Sequence, residues 1–418
     1  MQVPYCGIDF GTSNSTAAII SEGRPLLIPL DEDKTVCPSA LFFNSEDRQV
    51  YFGKRAHELY IEGVEGRLMR ALKTVLGSAL MKERTVVLNE PIPFPEIIGH
   101  YIGMLKRAID DARQDDVRHV VLGRPVHFVD DDSVADRRAQ DELEEIARAQ
   151  GFSDVSFQYE PIAAALDYEQ QVEKEEVALI IDLGGGTADY SIVRVSPDRA
   201  KAAERNADVL ANTGVHVGGT DFDRLLSLAE VMPMLGYRST MSDGRRLMPN
   251  WPYDDLATWH RINFMYSEKV MRLLKELKRD AQDTSKLQQM IELVDLELGH
   301  ALAAQVETIK IRLSDSTEED LVFPLSAGKL ETRVLVENFD RSIERAVRKL
   351  GEALEHVLTL AQLNPAQIDT VFLTGGSASI PFVRRSLLAR VPHAKMIAGD
   401  VFGSVGTGLG LDAKRKFS

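Results

Sequence analysis

The sequence predicts an α/β protein built from two similar lobes that face each other. Three observations carry this expectation. Short apolar strands alternate with amphipathic helices along the chain. The strand–turn–strand unit around Asp9-Phe-Gly-Thr-Ser-Asn14 returns around Asp182-Leu-Gly-Gly-Gly-Thr187. The distance between the copies far exceeds the roughly 20–50-residue period of a solenoid, which leaves the duplication of a whole lobe.

The elements follow in order. Val3 to Phe10, Thr16 to Ile20 and Leu26 to Leu30 read as consecutive strands. A helix is expected from about Glu96 to Ala112, with Ile98, Ile102, Leu105 and Ile109 on one stripe. His119 to Leu122 is a buried strand that ends at Gly123 and Pro125. Asp136 to Gln150 is a charged helix with Leu143, Ile146 and Ala147 inward and Gly151 as its stop. Val155 to Tyr159 is a strand, and Pro161 suits the first turn of the next helix. In the second half Val177 to Leu183 is an apolar strand with Ser191 to Val195 as its hairpin partner. From Gly218 the pattern turns mostly helical. Leu287 to Lys310 reads as one long helix with Met290, Ile291, Val294, Leu298, Ala301 and Leu302 as its core stripe. Val336 to Leu360 reads as another, and Thr370 to Thr374 as a strand that runs into Gly375-Gly376. The lobes are expected at 1–170 and 171–418, with a mostly helical subdomain inserted at about 220–312. Within it, Pro233 to Thr284 stands apart, holding both tryptophans, Trp251 and Trp259. A local core around those tryptophans is the expectation there, with a partner-docking surface as the sharper alternative.

Composition narrows the function classes. The 418 residues carry a net charge of −15, with 44% hydrophobic and 27% charged residues. That excludes a chain that coats nucleic acid or an anionic membrane through its overall field. It leaves room for a local anion site made of backbone N–H groups. Two cysteines, Cys6 and Cys37, make no disulfide framework, and a reduced cytoplasmic setting is expected. No HExxH or Cys-rich zinc pattern occurs, and no apolar run approaches the roughly 18 residues of a membrane span.

The turns carry the chemistry. Glycine lets a phosphate approach the backbone closely, and Thr12, Ser13, Asn14 and Thr187 add neutral donors. Asp9 and Asp182, at the strand ends, suit a hydrated Mg²⁺, a hard ion that takes carboxylate and water oxygens. One such turn alone reads as a plain hairpin, whereas two copies with the same preceding Asp point to phosphate binding. No GxxxxGK[ST] motif occurs, and Gly184-Gly-Gly-Thr187 leads into a strand rather than a helix, so neither a P-loop nor a Rossmann site fits.

Five motifs occur in one order: Asp9-Phe-Gly-Thr-Ser-Asn14, Glu160-Pro-Ile-Ala-Ala-Ala, Asp182-Leu-Gly-Gly-Gly-Thr-Ala-Asp189, Gly218-Gly-Thr-Asp-Phe-Asp223 and Gly375-Gly-Ser-Ala-Ser-Ile-Pro381. Together they resemble the nucleotide-binding (ATPase) domain of the DnaK-type heat-shock protein 70 family, within the actin, hexokinase and heat-shock ATPase superfamily. The resemblance covers about residues 3 to 410, and Thr35-Val-Cys-Pro-Ser39 resembles a further family segment. It implies a duplicated ribonuclease H-like (actin-like ATPase) fold, two lobes around a nucleotide cleft, with ATP or ADP and Mg²⁺ as ligands.

Roles follow from the resemblance. Gly11, Thr12, Ser13 and Asn14 match the first phosphate loop, and Gly184, Gly185, Gly186 and Thr187 the second. Gly218 and Gly219 belong to the nucleotide set by the same match. Asp9 and Asp182 would organise Mg²⁺ through water. Lys73 sits where the family has its catalytic lysine, with Glu160, Asp182 and Thr187 completing the catalytic set. Glu307, Lys310 and Ser314 match a helix that contacts ribose and base, Gly375, Gly376 and Ser377 the adenosine loop, and Asp400 the acid near it. Pro125 and Arg137 resemble the pair that transmits nucleotide state. Two stacking arginines of the family are replaced by Ile311 and Ser379, which implies weaker or less selective adenine binding. The chain length matches the ATPase part, and a peptide-binding domain and lid are not expected after the tail Asp412-Ala-Lys-Arg-Lys-Phe-Ser418. The resulting expectation is a slow, chaperone-related ATPase, monomeric, that signals to a protein partner or co-chaperone. The alternatives are a sugar or acid kinase of the superfamily, a filament-forming actin relative, and a nucleotide-binding module with little turnover.

Overall fold

The computed structural model describes residues 4–129, 132–169, 172–202, 205–326, 328–397 and 403–418. Two sheets of the same topology organise the chain. In the first, β1 (Tyr5–Phe10), β2 (Asn14–Ser21) and β3 (Arg24–Leu27) are successively antiparallel, and β4 (His119–Arg124) and β5 (Asp154–Tyr159) extend the other side of β1 in parallel. In the second, β6 (Glu176–Leu183), β7 (Ala188–Val195) and β8 (Val209–Val215) are antiparallel, and β9 (Thr370–Thr374) and β10 (Lys395–Met396) extend β6 in parallel. Over these five strands the two orders coincide, and the first sheet adds a two-residue strand, Cys37–Pro38, beside the start of β2. The duplication read from two Asp-Gly turns therefore extends over whole sheets.

The helices are α1 (Gly53–Ile61), α2 (Phe94–Arg113), α3 (Ser133–Ala149), α4 (Glu160–Glu169), α5 (Gly219–Leu226), α6 (Trp251–Ala257), α7 (Glu268–Asp280), α8 (Thr284–Asp295), α9 (Gly299–Arg312), α10 (Val336–Leu360), α11 (Pro381–Leu388) and α12 (Ser404–Phe417). On α2 the expected stripe, Ile98, Ile102, Leu105 and Ile109, is fully buried. Helix α3 begins one turn earlier than its charge pattern suggests, because the Asp132 carboxylate accepts from the Val134 and Ala135 N–H groups. Gly151 stops it in a positive-φ conformation, at 105°. Among the described residues no helix is long and apolar enough to cross a membrane.

One expected element is corrected. Leu287 to Lys310 is two helices, α8 and α9, broken between Asp295 and Gly299. Glu297 there adopts a φ of 53°, a left-handed conformation that a continuous helix excludes. The break admits neighbours: a Cβ at Gly299 would lie 2.6 Å from Ile262 Cγ2 and 2.9 Å from Tyr266 Oη. The periodicity of the stripe survives on both pieces, which is why it misreads as one helix.

Two helices lie between the sheets. Ile162, Ala164, Ala165 and Leu166 of α4 pack against Ala178, Ile180, Val193 and Phe372 of the second sheet. Leu409 and Ala413 of α12 pack with Tyr5 and Val121 of the first sheet, so the chain's last helix returns to the first lobe. The helices touch where Gly408 meets Ala163; a Cβ there would lie 1.8 Å from the Ala163 carbonyl oxygen. The two tryptophans part company. Trp251 joins the second lobe's core, while Trp259 stands outside it beneath the Arg70 guanidinium of the first lobe.

Candidate functional site

Each lobe supplies one turn. Strand β1 ends at Phe10 and β2 begins at Asn14, so Gly11, Thr12 and Ser13 form the first. Gly11 is obligatory: an added Cβ would lie 2.1 Å from the Asn14 carbonyl oxygen. Ser39 braces this turn, donating its Oγ to the Gly11 carbonyl at 2.7 Å and its N–H to the Ser13 carbonyl at 2.8 Å. That is the structural work of the Thr35–Ser39 segment.

Gly184 to Thr187 form the second turn, closed by the Gly184 N–H on the Thr187 carbonyl at 2.9 Å. Gly218 and Gly219 lie against it. The N–H groups of Gly219 and Thr220 donate to the Gly184 and Gly185 carbonyls at 3.1 and 2.7 Å. A Cβ on Gly218 would sit 2.6 Å from backbone atoms of Gly185 and Gly186. The turns meet at their tips, for a Cβ at Gly185 would lie 2.4 Å from Ser13 Oγ, whereas Gly186 faces open space. Two glycine turns so placed can aim backbone N–H groups from both lobes at one polyanion.

Behind the turns lies a charged cluster. Lys73 sits in a short turn, Leu72–Val75, after Ala71 in the left-handed region at φ 53°. Its Nζ donates to Glu160 Oε1 at 2.5 Å, and both side chains are largely buried. Burial pulls the Lys73 ammonium down, but Glu160, Asp9 and Asp182 outweigh it and hold it above the usual range. Burial first, then the Glu160 charge, raises Asp9 to about 8 and also raises Asp182. Thr374 Oγ1 donates to Asp182 Oδ1 at 3.1 Å. Directly across the β6–β7 hairpin, Asp189 pairs with Asp182. Burial and the Asp182 and Glu160 charges lift it to about 7, although its side chain meets solvent, which screens it.

Four carboxylates thus crowd one lysine. A hard divalent cation suits such an oxygen set and its surplus negative charge. Among the described residues no three His, Cys, Asp or Glu converge closely enough to ligate a metal directly. Contacts through water are therefore the form that fits Asp9, Asp182 and Asp189.

On the far side of the second turn, Lys310 of α9 donates to the Gly219 carbonyl at 3.3 Å and pairs with Asp223 at 2.8 Å. Ser377 lies near: a Cβ on Gly219 would be 3.1 Å from its Oγ. Gly375, at φ 80°, folds its loop back on β6, so that a Cβ would fall 2.3 Å from the Leu183 carbonyl oxygen. Ser379 Oγ is used locally, donating to the Gly376 carbonyl at 2.7 Å. The Ser314 hydroxyl is buried with no partner among the described residues, and Glu307 and Ile311 are exposed on α9. Asp400 lies outside the described residues.

Arg137 is exposed on α3, and no described contact joins it to Pro125. Arg124 is the arginine engaged there. It pairs with Asp136 at 2.9 Å, donates to the Pro125 carbonyl at 3.1 Å and stacks on Phe128 and Tyr159. Sequence reasoning missed Arg124 and gave Asp189 no role. The signals were available in the arginine preceding Pro125 at a strand end and the second Asp of a symmetric hairpin.

A pH effect follows. Asp9 titrates at about 8 in the folded chain against an ordinary 3.8. Between those values the folded state binds the extra proton, so stability falls as pH rises through the window. Without divalent cations the melting temperature is expected to drop between about pH 5 and 8, and Asp9→Asn to flatten the slope. A melting temperature that rises over this range would contradict the assignment.

Comparison with known proteins shows the family. A family model described as "Hsp70 protein" matches residues 5–231 and 273–396. "Chaperone protein DnaK" of Thermus thermophilus is 26% identical over 418 residues, covering 94% of this chain and 58% of that protein. Its namesake in Thermotoga maritima is 28% identical over 385 residues, covering 91% and 54%. The Ureaplasma urealyticum protein of the same name is 26% identical over 401 residues, covering 94% and 56%. The chain spans a little over half the length of these relatives.

Proposed function

The chain belongs to the Hsp70 family, and from that premise we propose that it is a slow, Mg²⁺-dependent ATPase that passes its nucleotide state to a protein partner. The observation that carries this reading is the meeting of the Gly11–Ser13 and Gly184–Thr187 turns in front of the Lys73–Glu160 pair. The family match does not favour the small-molecule kinase or the filament-forming reading. A cytoplasmic, monomeric protein divided near residue 170 is part of the proposal, with α12 packing back on the first sheet.

In this reading the backbone of the two turns, with the Thr12, Ser13, Asn14 and Thr187 side chains, binds the phosphates. Bound Mg²⁺, held through water by Asp9, Asp182 and Asp189, would neutralise phosphate charge. The Lys73 ammonium stabilises the charge that builds on the γ-phosphoryl oxygens, where positioning and electrostatics do most of the work. A water oxygen bonds to the γ-phosphorus while the bond to the bridging oxygen breaks, and ADP departs with that electron pair. Glu160 or Asp182 orients the water and takes its proton. Glu307, Lys310, Ser314, Gly375, Gly376 and Ser377 receive the nucleoside.

Equilibrium titration with Mg-ATP and Mg-GTP tests the site. Binding of ATP is expected, with GTP within about tenfold, since Ile311 and Ser379 provide no guanidinium to stack on a base. An absence of ATP binding overturns the reading, and a strongly ATP-selective site overturns the selectivity argument.

A further inference from the structure

Three hydroxyls that take no part in the chemistry above lie buried behind the first glycine turn. Tyr101 of α2, Ser15 near the start of β2, and Ser39 are each at most 2% exposed. Ser39 directly follows the two-residue strand Cys37–Pro38, which pairs with Asn14 and Ser15. Burying a hydroxyl is costly unless it is hydrogen-bonded, and each of these has a partner. Ser39 Oγ donates to the Gly11 carbonyl at 2.7 Å. Its one proton is then engaged, so Ser15 is the donor in the 2.8 Å contact between the Ser15 and Ser39 hydroxyls. Tyr101 Oη donates to the Pro38 carbonyl at 3.1 Å, with the Cys37 carbonyl at 3.4 Å. Burial keeps the phenol protonated, well above its usual range, and the Ser15 and Ser39 hydroxyls stand beside it. The Tyr101 ring packs in turn on Phe10, the last residue of β1, with centroids 5.7 Å apart.

These bonds fix which way the amides of the turn point. A trans peptide unit holds its C=O and N–H on opposite sides. With the Gly11 carbonyl drawn inward by Ser39, the Thr12 N–H is turned away from the packed interior. The Ser39 N–H takes the Ser13 carbonyl at 2.8 Å and so holds the other end of the turn. Among the described residues the Thr12 and Ser13 N–H groups have no partner, which leaves them open to an anion. Glycine gives the Gly11–Thr12 peptide the freedom to flip. A flipped peptide would present a carbonyl oxygen to the phosphates in place of an N–H. The bond from Ser39 opposes that flip, and Tyr101 anchors the strand that leads into Ser39.

We propose that Ser39, backed by Ser15 and Tyr101, is a positioning residue that holds the Gly11–Thr12 peptide with its N–H toward the phosphates and thereby sets how tightly they are bound. The proposal rests on the ATP reading above. None of the three hydroxyls contacts the nucleotide in that reading. The order of their effects follows from the connections: Ser39 bonds the turn itself, Tyr101 acts through the Pro38 carbonyl, and Ser15 acts through the Ser39 oxygen.

The test is equilibrium binding of Mg-ADP and of adenosine, which shares the nucleoside but carries no phosphate. Wild type is compared with Ser39→Ala, Tyr101→Phe and Ser15→Ala. Ser39→Ala is expected to weaken Mg-ADP binding about tenfold, the scale of one lost hydrogen bond that leaves a buried carbonyl unpaired. Tyr101→Phe and Ser15→Ala are expected to weaken it about threefold each, at the lower end of the same range. Tyr101→Phe keeps the ring in its packing and removes a single oxygen, so it guards against a Ser39→Ala chain that misfolds. Adenosine binding is expected to stay within about twofold of wild type in all three, because sites without shared partners respond independently. Mg-ADP binding unchanged in both Ser39→Ala and Tyr101→Phe overturns the positioning role while leaving the ATP reading intact. Equal losses for Mg-ADP and adenosine also overturn it, because general damage then explains the data. A wild-type chain that binds neither Mg-ADP nor Mg-ATP overturns the ATP reading and the positioning role with it.

Discussion

Replacing Lys73 by alanine is expected to slow single-turnover ATP hydrolysis by about 100- to 1,000-fold, the usual cost of removing one preorganised electrostatic group. ATP binding should change far less, because the turns that would cradle the phosphates are built from backbone and do not include Lys73. The reasoning is one of charge. The Lys73 ammonium faces Asp9, Glu160 and Asp182 and is held firmly protonated by them. It is the group that can balance charge building on the γ-phosphoryl oxygens. Alanine also removes a buried cation from among carboxylates, so Lys73→Met, which keeps the volume, separates charge from packing. Equal single-turnover rates in wild type and both variants would remove Lys73 from the chemistry. A companion loss in Glu160→Gln with binding retained would support a carboxylate that handles the water.

Glu169→Ala is expected to destabilise the chain by about 3–5 kcal/mol, the range for leaving one partner of a buried ion pair uncompensated. Arg205 grips Glu169 with two hydrogen bonds of 2.9 Å, and both side chains are almost fully buried. Glu169 also accepts from the Ser196 N–H at 2.8 Å, while Arg205 pairs in addition with Asp208, which Arg199 reaches as well. Removing the carboxylate strands a guanidinium in a dry site. Exchanging Glu169 and Arg205 together for methionine should cost much less, since no unpaired charge remains. Urea unfolding midpoints of the single and double variants decide this, and a loss below about 1 kcal/mol in Glu169→Ala would refute it. The pair has a second consequence. Helix α4 starts at Glu160, beside Lys73, and ends at Glu169, fixed in the second lobe. One rigid element thus links the candidate chemistry of the first lobe to the packing of the second.

Local pattern made much of this legible. The bounds of α10 and β9 were read from the sequence without error, and the α2 stripe from its period, because each buries one continuous apolar face. The two turns were legible because glycine, hydroxyl residues and a preceding Asp are needed at fixed chain positions. The Glu297 break escaped because helical periodicity continues across it, and only the approach of Ile262 and Tyr266 to Gly299 makes the break worthwhile. Arg124 escaped for a similar reason: nothing in its local pattern says that it will gather Asp136 of α3 and the Tyr159 ring at the end of β5. Trp259 was assigned to a local core because a tryptophan amid turn residues usually finds its neighbours nearby. Its partners Tyr60 and Arg70 lie some two hundred residues earlier in the chain.

The amino-acid sequence by itself determined two α/β lobes, the pair of glycine turns and the residues that line them, since these depend on hydrophobic period and backbone freedom within a few residues. Only the tertiary structure decided that the turns touch at Ser13 and Gly185, that Asp9, Glu160, Asp182 and Asp189 share one lysine, and that the inserted turns reach across to the first lobe. Charge crowding and inter-lobe contact act between residues far apart in the chain, and their energies exist only once packing has brought those residues together.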